Sequence, residues 1–572
     1  MSRTTTLRLV ALAATIGLGM TATACTDSSN SKSKDTGKND SKTATLVVES
    51  NPVPSFTENY NPFDGNSFVS VENARSLVWE PLFQINSLKP EQAPIPWLAK
   101  TAAWSDGNKT LTMTLQSGVV FSDGKPFTSD DVKFTFDMLK ANPAANTGGA
   151  PTPASVETPD ATTVVLKFDA PQKANFVGIA NQIIVPKHIW EGVKEPATAV
   201  IKADQLIGTG PYLLDKFSAQ NVTFKVNPKF REAPKVKRIS FPAYATNDAA
   251  TLALSKGEID LTGNNISNVQ STFVAKDPEH HHLFQKDAPY FPGANTVALF
   301  LNTKSSTAPA LADPAVRKAI SAAMNRKSYA SQCETDYALP ATSSGGLLLP
   351  IDEQQVDPSL KNDLKPEADE AQVNTLLTGA GWKKSGGKWT KDGKKIKFTV
   401  IDPNSFTDYW CGAQAIAKDL NAMGFEVSAN GAFDFNSWNT AITTGKYDAA
   451  IHWGQGNTPY QRLQYMLDPR MGAETGKVAA GDFSKYDPQK SMDAVKAFES
   501  AADPAAEQAA LNTLQKIMSE DVPAVPLFYG AAWYEYNDTH FTGWPNEADP
   551  YINPAPNSQA YEYIILKLAP RG

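Results

Sequence analysis

The sequence predicts an α/β protein built from two or more lobes, and three observations carry that reading. Its 572 residues exceed what one hydrophobic core serves. Residues 111–137 read as a strand, a tight turn and a capped helix. The alternation returns late in the chain, where a helix over 413–423 stops at Gly424 and Phe425-Glu426-Val427 resumes as strand.

Residues 1–24 read as a targeting segment. Arg3 and Arg8 make a positive start, and 9–20 is an apolar run too short to span a bilayer. Thr21-Ala22-Thr23-Ala24 then precedes Cys25, which resembles a bacterial lipobox with Ala22 where Leu is usual. Lipidation of Cys25 would anchor an exported protein to the outer face of the cell membrane; the plainer alternative is a secretory peptide cleaved after Ala24. Residues 26–42 hold no large apolar side chain and are expected to form a flexible tether.

The composition is 41% hydrophobic and 20% charged, an ordinary globular balance. Loss of Arg3 and Arg8 with the leader takes the formal charge from -7 to -9, and an acidic body without a basic stripe excludes nucleic acid as partner. Beyond Cys25 two cysteines remain. In an exported chain Cys333 and Cys411 either form a disulfide, stabilising by roughly 4–5 kcal/mol, or stay as two buried thiols.

In chain order, Thr45-Leu46-Val47-Val48-Glu49-Ser50 opens the fold as a strand, followed by the turn Tyr60-Asn61-Pro62-Phe63. Within 111–137, Leu111, Met113 and Leu115 alternate with polar residues, Asp123-Gly124 marks a turn, and Thr128 caps a helix burying Val132, Phe136 and Leu139. Gly208-Thr209-Gly210-Pro211-Tyr212 is a tight connection into a strand; it lacks the GxGxxG spacing and following helix of a phosphate loop. Glu258 and Asp260 share a strand face, but Gly257 before them reads as a helix stop, not as part of a catalytic pair. Residues 313–326 give a helix with a strong apolar face, and 371–382 a helix halted by Gly379 and Gly381.

The string Phe121-Ser122-Asp123-Gly124-Lys125-Pro126-Phe127-Thr128-Ser129-Asp130-Asp131-Val132 resembles the "FHDGTPFTAEDV" segment of extracytoplasmic solute-binding proteins of the oligopeptide/dipeptide type, family 5, which serve ABC importers. Pro96-Trp97-Leu98-Ala99, Pro186-Lys187-His188-Ile189-Trp190, the Gly208 to Tyr212 string, Gly257-Glu258-Ile259-Asp260-Leu261, Ala380-Gly381-Trp382 and Tyr447-Asp448-Ala449-Ala450 resemble further motifs of that family, in family order. The resemblance spans about 45–530 and departs at Asn325, where the family has Asp.

The resemblance implies a two-lobed periplasmic-binding-protein-like fold of type II, with two crossing hinge segments. Lobe one would take 45–295 with an extra subdomain at about 73–202, lobe two 296–524, and 525–572 would return to lobe one. It implies a monomer that closes on an extracellular solute and delivers it to ABC permease subunits, with no cofactor and no bond made or broken.

For the ligand, peptide binders of the family carry an acid in the stretch matching His452 to Tyr460, and this chain has none there. A buried ammonium without a countercharge is costly, so a neutral, hydroxyl- or amide-rich guest is expected. Aromatics crowd the second half, and Trp544-Pro545-Asn546 lies in a tail that resembles that of the family's oligosaccharide binders. Trp410, Trp438, Trp453, Gln455, Asn457, Tyr60, Asn61 and Tyr529 are therefore expected to bind ligand, Trp410 and Trp453 foremost. A short oligosaccharide is favoured, with an oligopeptide as the alternative. Nickel at His280-His281-His282 is remote, because adjacent residues of a strand face opposite ways and at most two could share one ion. A hydrolase is remote for want of GxSxG, HExxH or CxxC.

Overall fold

The computed structural model describes residues 45–90, 92–558 and 560–572; the leader, Cys25 and the tether lie outside them. Two sheets organise the chain. The first runs in the spatial order His281–Leu283, Glu535–Asn537, Leu261–Thr262, Thr45–Glu49, Arg238–Pro242, Asn221–Val226, Tyr212–Ser218. Its central strand, Thr45–Glu49, is parallel to both neighbours. Period-2 alternation sends Leu46 and Val48 into the main core of this lobe and Val47 into a smaller cluster beside the hinge.

The second sheet has the order Leu339–Pro340, Ala524–Ala531, Gly293–Leu301, Ala449–Trp453, Lys397–Ile401, Glu426–Asn430. Both faces are covered, so Val297, Leu299 and Leu301 enter one core while Ala298 and Phe300 enter the other. The chain crosses between lobes twice, at 284–292 and 532–534. One boundary is corrected: Ala524–Ala531 pairs along its length with Gly293–Leu301, so the return to lobe one begins after Ala531 and not at 525. The run Val-Pro-Leu-Phe-Tyr is apolar enough to serve either lobe, and pairing decides.

The subdomain is a four-stranded antiparallel sheet, Ala99–Ser105, Thr110–Leu115, Thr163–Lys167, Ser155–Asp160, packed on helix Ser129–Ala141. The helix starts as the sequence dictates. Thr128 N donates to Asp131 Oδ2 at 2.9 Å, and Val132, Phe136 and Leu139 are buried. The Gly208 to Tyr212 string has a packing role. A Cβ at Gly208 would collide with Val78 O, and one at Gly210 with Leu77 O.

Cys333 and Cys411 are joined, with Cα atoms 5.5 Å apart. The bond ties the end of helix Arg326–Gln332 to helix Thr407–Ala422. No helix among the described residues is long and apolar enough to cross a membrane.

Candidate functional site

Strands that run parallel end at one edge, and ligands of α/β proteins lie beyond their carboxyl ends. In lobe two, Lys397–Ile401 is parallel to Glu426–Asn430 and Ala449–Trp453. Its site edge is therefore Asp402, Gly431 and Gly454-Gln455. In lobe one, Thr45–Glu49 and Leu261–Thr262 end at Ser50 and at Gly263-Asn264.

Two aromatics stand on the lobe-two edge. Trp410 is half-buried, and its ring lies 3.0 Å from where a Cβ at Gly431 would sit, so the ring packs closely over that glycine. Trp453 is half-buried at the strand terminus, with ring centroids 5.3 Å from Trp438 and 6.5 Å from Tyr409. Gly454 passes Thr296 O too closely for any side chain. Gln455 and Asn457 follow, both partly exposed; Asn457 N donates to Gln461 Oε1 at 3.0 Å.

The other expected ligand contacts are corrected. Helix Phe435–Thr443 turns Trp438 and Ile442 inward, and Trp438 is fully buried, stacked on His452 at 5.3 Å and 15°. Tyr60 lies in the lobe-one core, edge-on to Phe68 and Phe217. Asn61 is spent on structure: its Nδ2 donates to Pro196 O and Ala199 O at 2.8 Å, and its Oδ1 accepts from Phe63 N. Tyr529 is buried, with its hydroxyl accepting from Thr342 N and Ser343 N. Of the later aromatics, Tyr534, Tyr536 and Trp544 belong to the lobe-one core.

Acidic residues that the sequence reading passed over surround Tyr409. Asp402 follows its strand directly and is fully buried, with neither carboxylate oxygen hydrogen-bonded. Glu334, beside the disulfide, is equally buried and unpartnered. Asp408 completes the group, three residues before Cys411. Burial, reinforced by Asp408 and Glu334, holds the Asp402 carboxyl well above the usual range. Burial and Asp408 do the same to Glu334, and burial pushes Asp408 to about 6. Burial, then these three acids, raise the Tyr409 phenol. The expectation of an acid-free site was thus drawn from too short a stretch. Asp402 was findable as an acid closing a strand, and Glu334 as the neighbour of Cys333 once that cysteine is paired with Cys411, which brings it towards Asp408.

Lobe one has its own acids at the corresponding edge. Glu49, Thr262 and Glu535 align across three strands. Glu49 Oε2 accepts from Thr262 Oγ1 at 2.7 Å and from Asn264 Nδ2, and burial pushes its pKa up to about 7. Neither Glu535 oxygen is hydrogen-bonded.

The histidine run does not gather ligands. His281 points inward and stacks on Phe273 at 4.2 Å, while His280 and His282 face Asp538. Among the described residues no three His, Cys, Asp or Glu side chains are placed to hold one metal ion.

The lobes touch along the rim. Asn175 Nδ2 on the subdomain donates to Glu499 Oε1 on lobe two, Tyr465 OH donates to Gly148 O, and Asn66 Nδ2 donates to Thr440 Oγ1. Phe435 packs against the cores of both lobes.

Two α/β lobes joined by two crossings define a type II binding protein. The model of the bacterial extracellular solute-binding proteins, family 5, matches residues 93–471, and the chain belongs to that family. It is an exported solute-binding protein of an ABC importer and not an enzyme. Protein XP55 of Streptomyces lividans is 28% identical over 429 residues, covering 73% of this chain and 72% of that one. The nickel-binding periplasmic protein of Escherichia coli is 26% identical, covering 69% and 74%. A periplasmic oligopeptide-binding protein of Thermotoga maritima, solved with mannohexaose, superposes with a TM-score of 0.81 at 25% identity, over 93% of this chain and 99% of that one. The Bacillus subtilis oligopeptide-binding protein AppA, solved with a nonapeptide, gives 0.73 at 20% identity over 92% and 99%, a likeness of fold.

Proposed function

We propose that the chain is a monomeric lipoprotein, held by Cys25 at the outer face of the membrane, that closes its lobes on a short oligosaccharide and passes it unchanged to a permease. The observation that supports this reading is the placement of Trp410 and Trp453. Both are partly exposed, Trp453 at the end of its strand and Trp410 on helix Thr407–Ala422 against Gly431, and such flat rings suit the C–H faces of sugars. Gln455 beside them offers an amide to hydroxyls. The T. maritima protein, solved with mannohexaose, supports the same class.

An oligopeptide is the second reading. It is favoured by the acids around Tyr409, which would ionise beside a bound ammonium group and so offer the countercharge that the stretch from His452 to Tyr460 lacks.

Thermal-shift titration of the mature protein with neutral oligosaccharides and peptides tests the reading. A saturable shift without turnover supports it, and turnover rejects it. For the anchor, Cys25→Ser should release the protein from the membrane fraction; unchanged retention would contradict lipidation.

A further inference from the structure

Three acidic side chains lie together in lobe two, and among the described residues no cationic side chain balances them. Asp402 and Glu334 are at least nine-tenths buried, and all four of their oxygens lack a hydrogen-bond partner. Asp408 is buried beside them, near enough to raise both. Among the described residues no lysine, arginine or histidine forms an ion pair with any of the three.

Such groups are expensive. Ionised, an uncompensated buried carboxylate costs several kcal/mol, so without a cation these acids hold their protons, and even then native folds rarely leave both oxygens unpaired. An asparagine, or an apolar side chain of like size, would relieve the cost if only packing were at stake. The disulfide between Cys333 and Cys411 sharpens the point, because it holds Glu334 close to Asp408 against their repulsion. The group lies next to partly exposed rings, those of Tyr409 and Trp453. Asp402 closes the central parallel strand of the lobe, at the site edge. Tyr409, which all three acids influence, has its ring 6.5 Å from Trp453.

We infer that Asp402, Glu334 and Asp408 form a subsite for a cationic nitrogen on the bound solute, packed against the Tyr409 and Trp453 rings. This rests on the solute-binding reading and narrows its ligand to an amine-bearing oligomer. A metal ion is disfavoured, since the acids do not converge as ligands of one ion. An ammonium or guanidinium reaches several acceptors over a wider span and gains from the aromatic faces. The nitrogen has two sources, an amino sugar or a basic peptide.

The test uses the mature protein and two matched pairs, the glucosamine trimer against its fully N-acetylated form, and tri-lysine against its fully N-acetylated form. Calorimetric titration should show at least a tenfold preference for the amine in one pair, and that pair names the source. In Asp402→Asn combined with Glu334→Gln the preference should fall below threefold. The melting temperature of that variant should stay at or above that of the wild type, because two unpaired buried acids are gone. No preference for the amine in either pair, including no binding, overturns the subsite; so does a preference that survives in the double variant. If the acetylated sugar binds equally well and without turnover, the subsite fails while the solute-binding reading stands.

Discussion

Asn175 on the lobe-one subdomain donates its Nδ2 to Glu499 Oε1 on lobe two at 2.8 Å, and both side chains are buried. Glu499 is held from its own side by Tyr460 OH at 3.0 Å and by Arg470 at 2.6 Å. A preset acceptor on one lobe thus meets a single donor from the other, so the contact exists only while the lobes are together.

Asn175→Ala should therefore weaken ligand affinity from outside the site. A hydrogen bond to a charged group contributes about 1.5 kcal/mol, or roughly tenfold in Kd. Small-angle scattering should show a larger mean radius at partial saturation. Unchanged affinity would remove this contact from the closing equilibrium.

The tryptophans should separate into two kinds. Trp453→Ala should abolish the ligand-induced thermal shift with only a modest loss of melting temperature. Trp438→Ala removes a fully buried ring and should destabilise lobe two by about 3–5 kcal/mol. Denaturant melts with and without ligand distinguish the two.

Replacing both cysteines, Cys333→Ser with Cys411→Ser, should lower stability by about 2–5 kcal/mol. It should also blunt ligand binding, since Glu334 is no longer held to Asp408. Reducing agent added to the wild type should reproduce the effect on melting temperature.

Stability without ligand should fall as pH rises. Burial raises Glu49 from 4.5 to about 7, so the folded chain holds that proton more tightly than the unfolded one. The stability it contributes is full below pH 4.5 and is lost as pH passes through about 7. His540, raised above 6.5 by its hydrogen bond to Asp260, acts in the same direction over a higher window. Glu49→Gln should flatten the melting curve against pH between about 5 and 7; an unaltered slope would contradict this.

Periodicity made much of the fold legible. Leu111, Met113 and Leu115 are buried in alternation, and the helix Pro314–Ala322 buries Val316, Ala319 and Ile320 as its spacing predicts. Each is decided within a few residues. The site was harder, because it is made where distant strands end. Asp402, Asn430 and Trp453 close three parallel strands, and nothing in their local sequence says that they share an edge. Trp438 was misplaced for a similar reason: composition showed an aromatic on a helix, and only packing shows its face. Glu334 and Asp408 are distant in the chain, and their approach follows from the disulfide.

Recovery of the ligand after capture tests the central claim most directly. The mature protein is saturated with the tightest-binding oligomer, washed, denatured, and the released molecule weighed by mass spectrometry. The account predicts one intact oligomer per chain. Fragments of that oligomer, or no saturable uptake of any sugar or peptide oligomer, would contradict it.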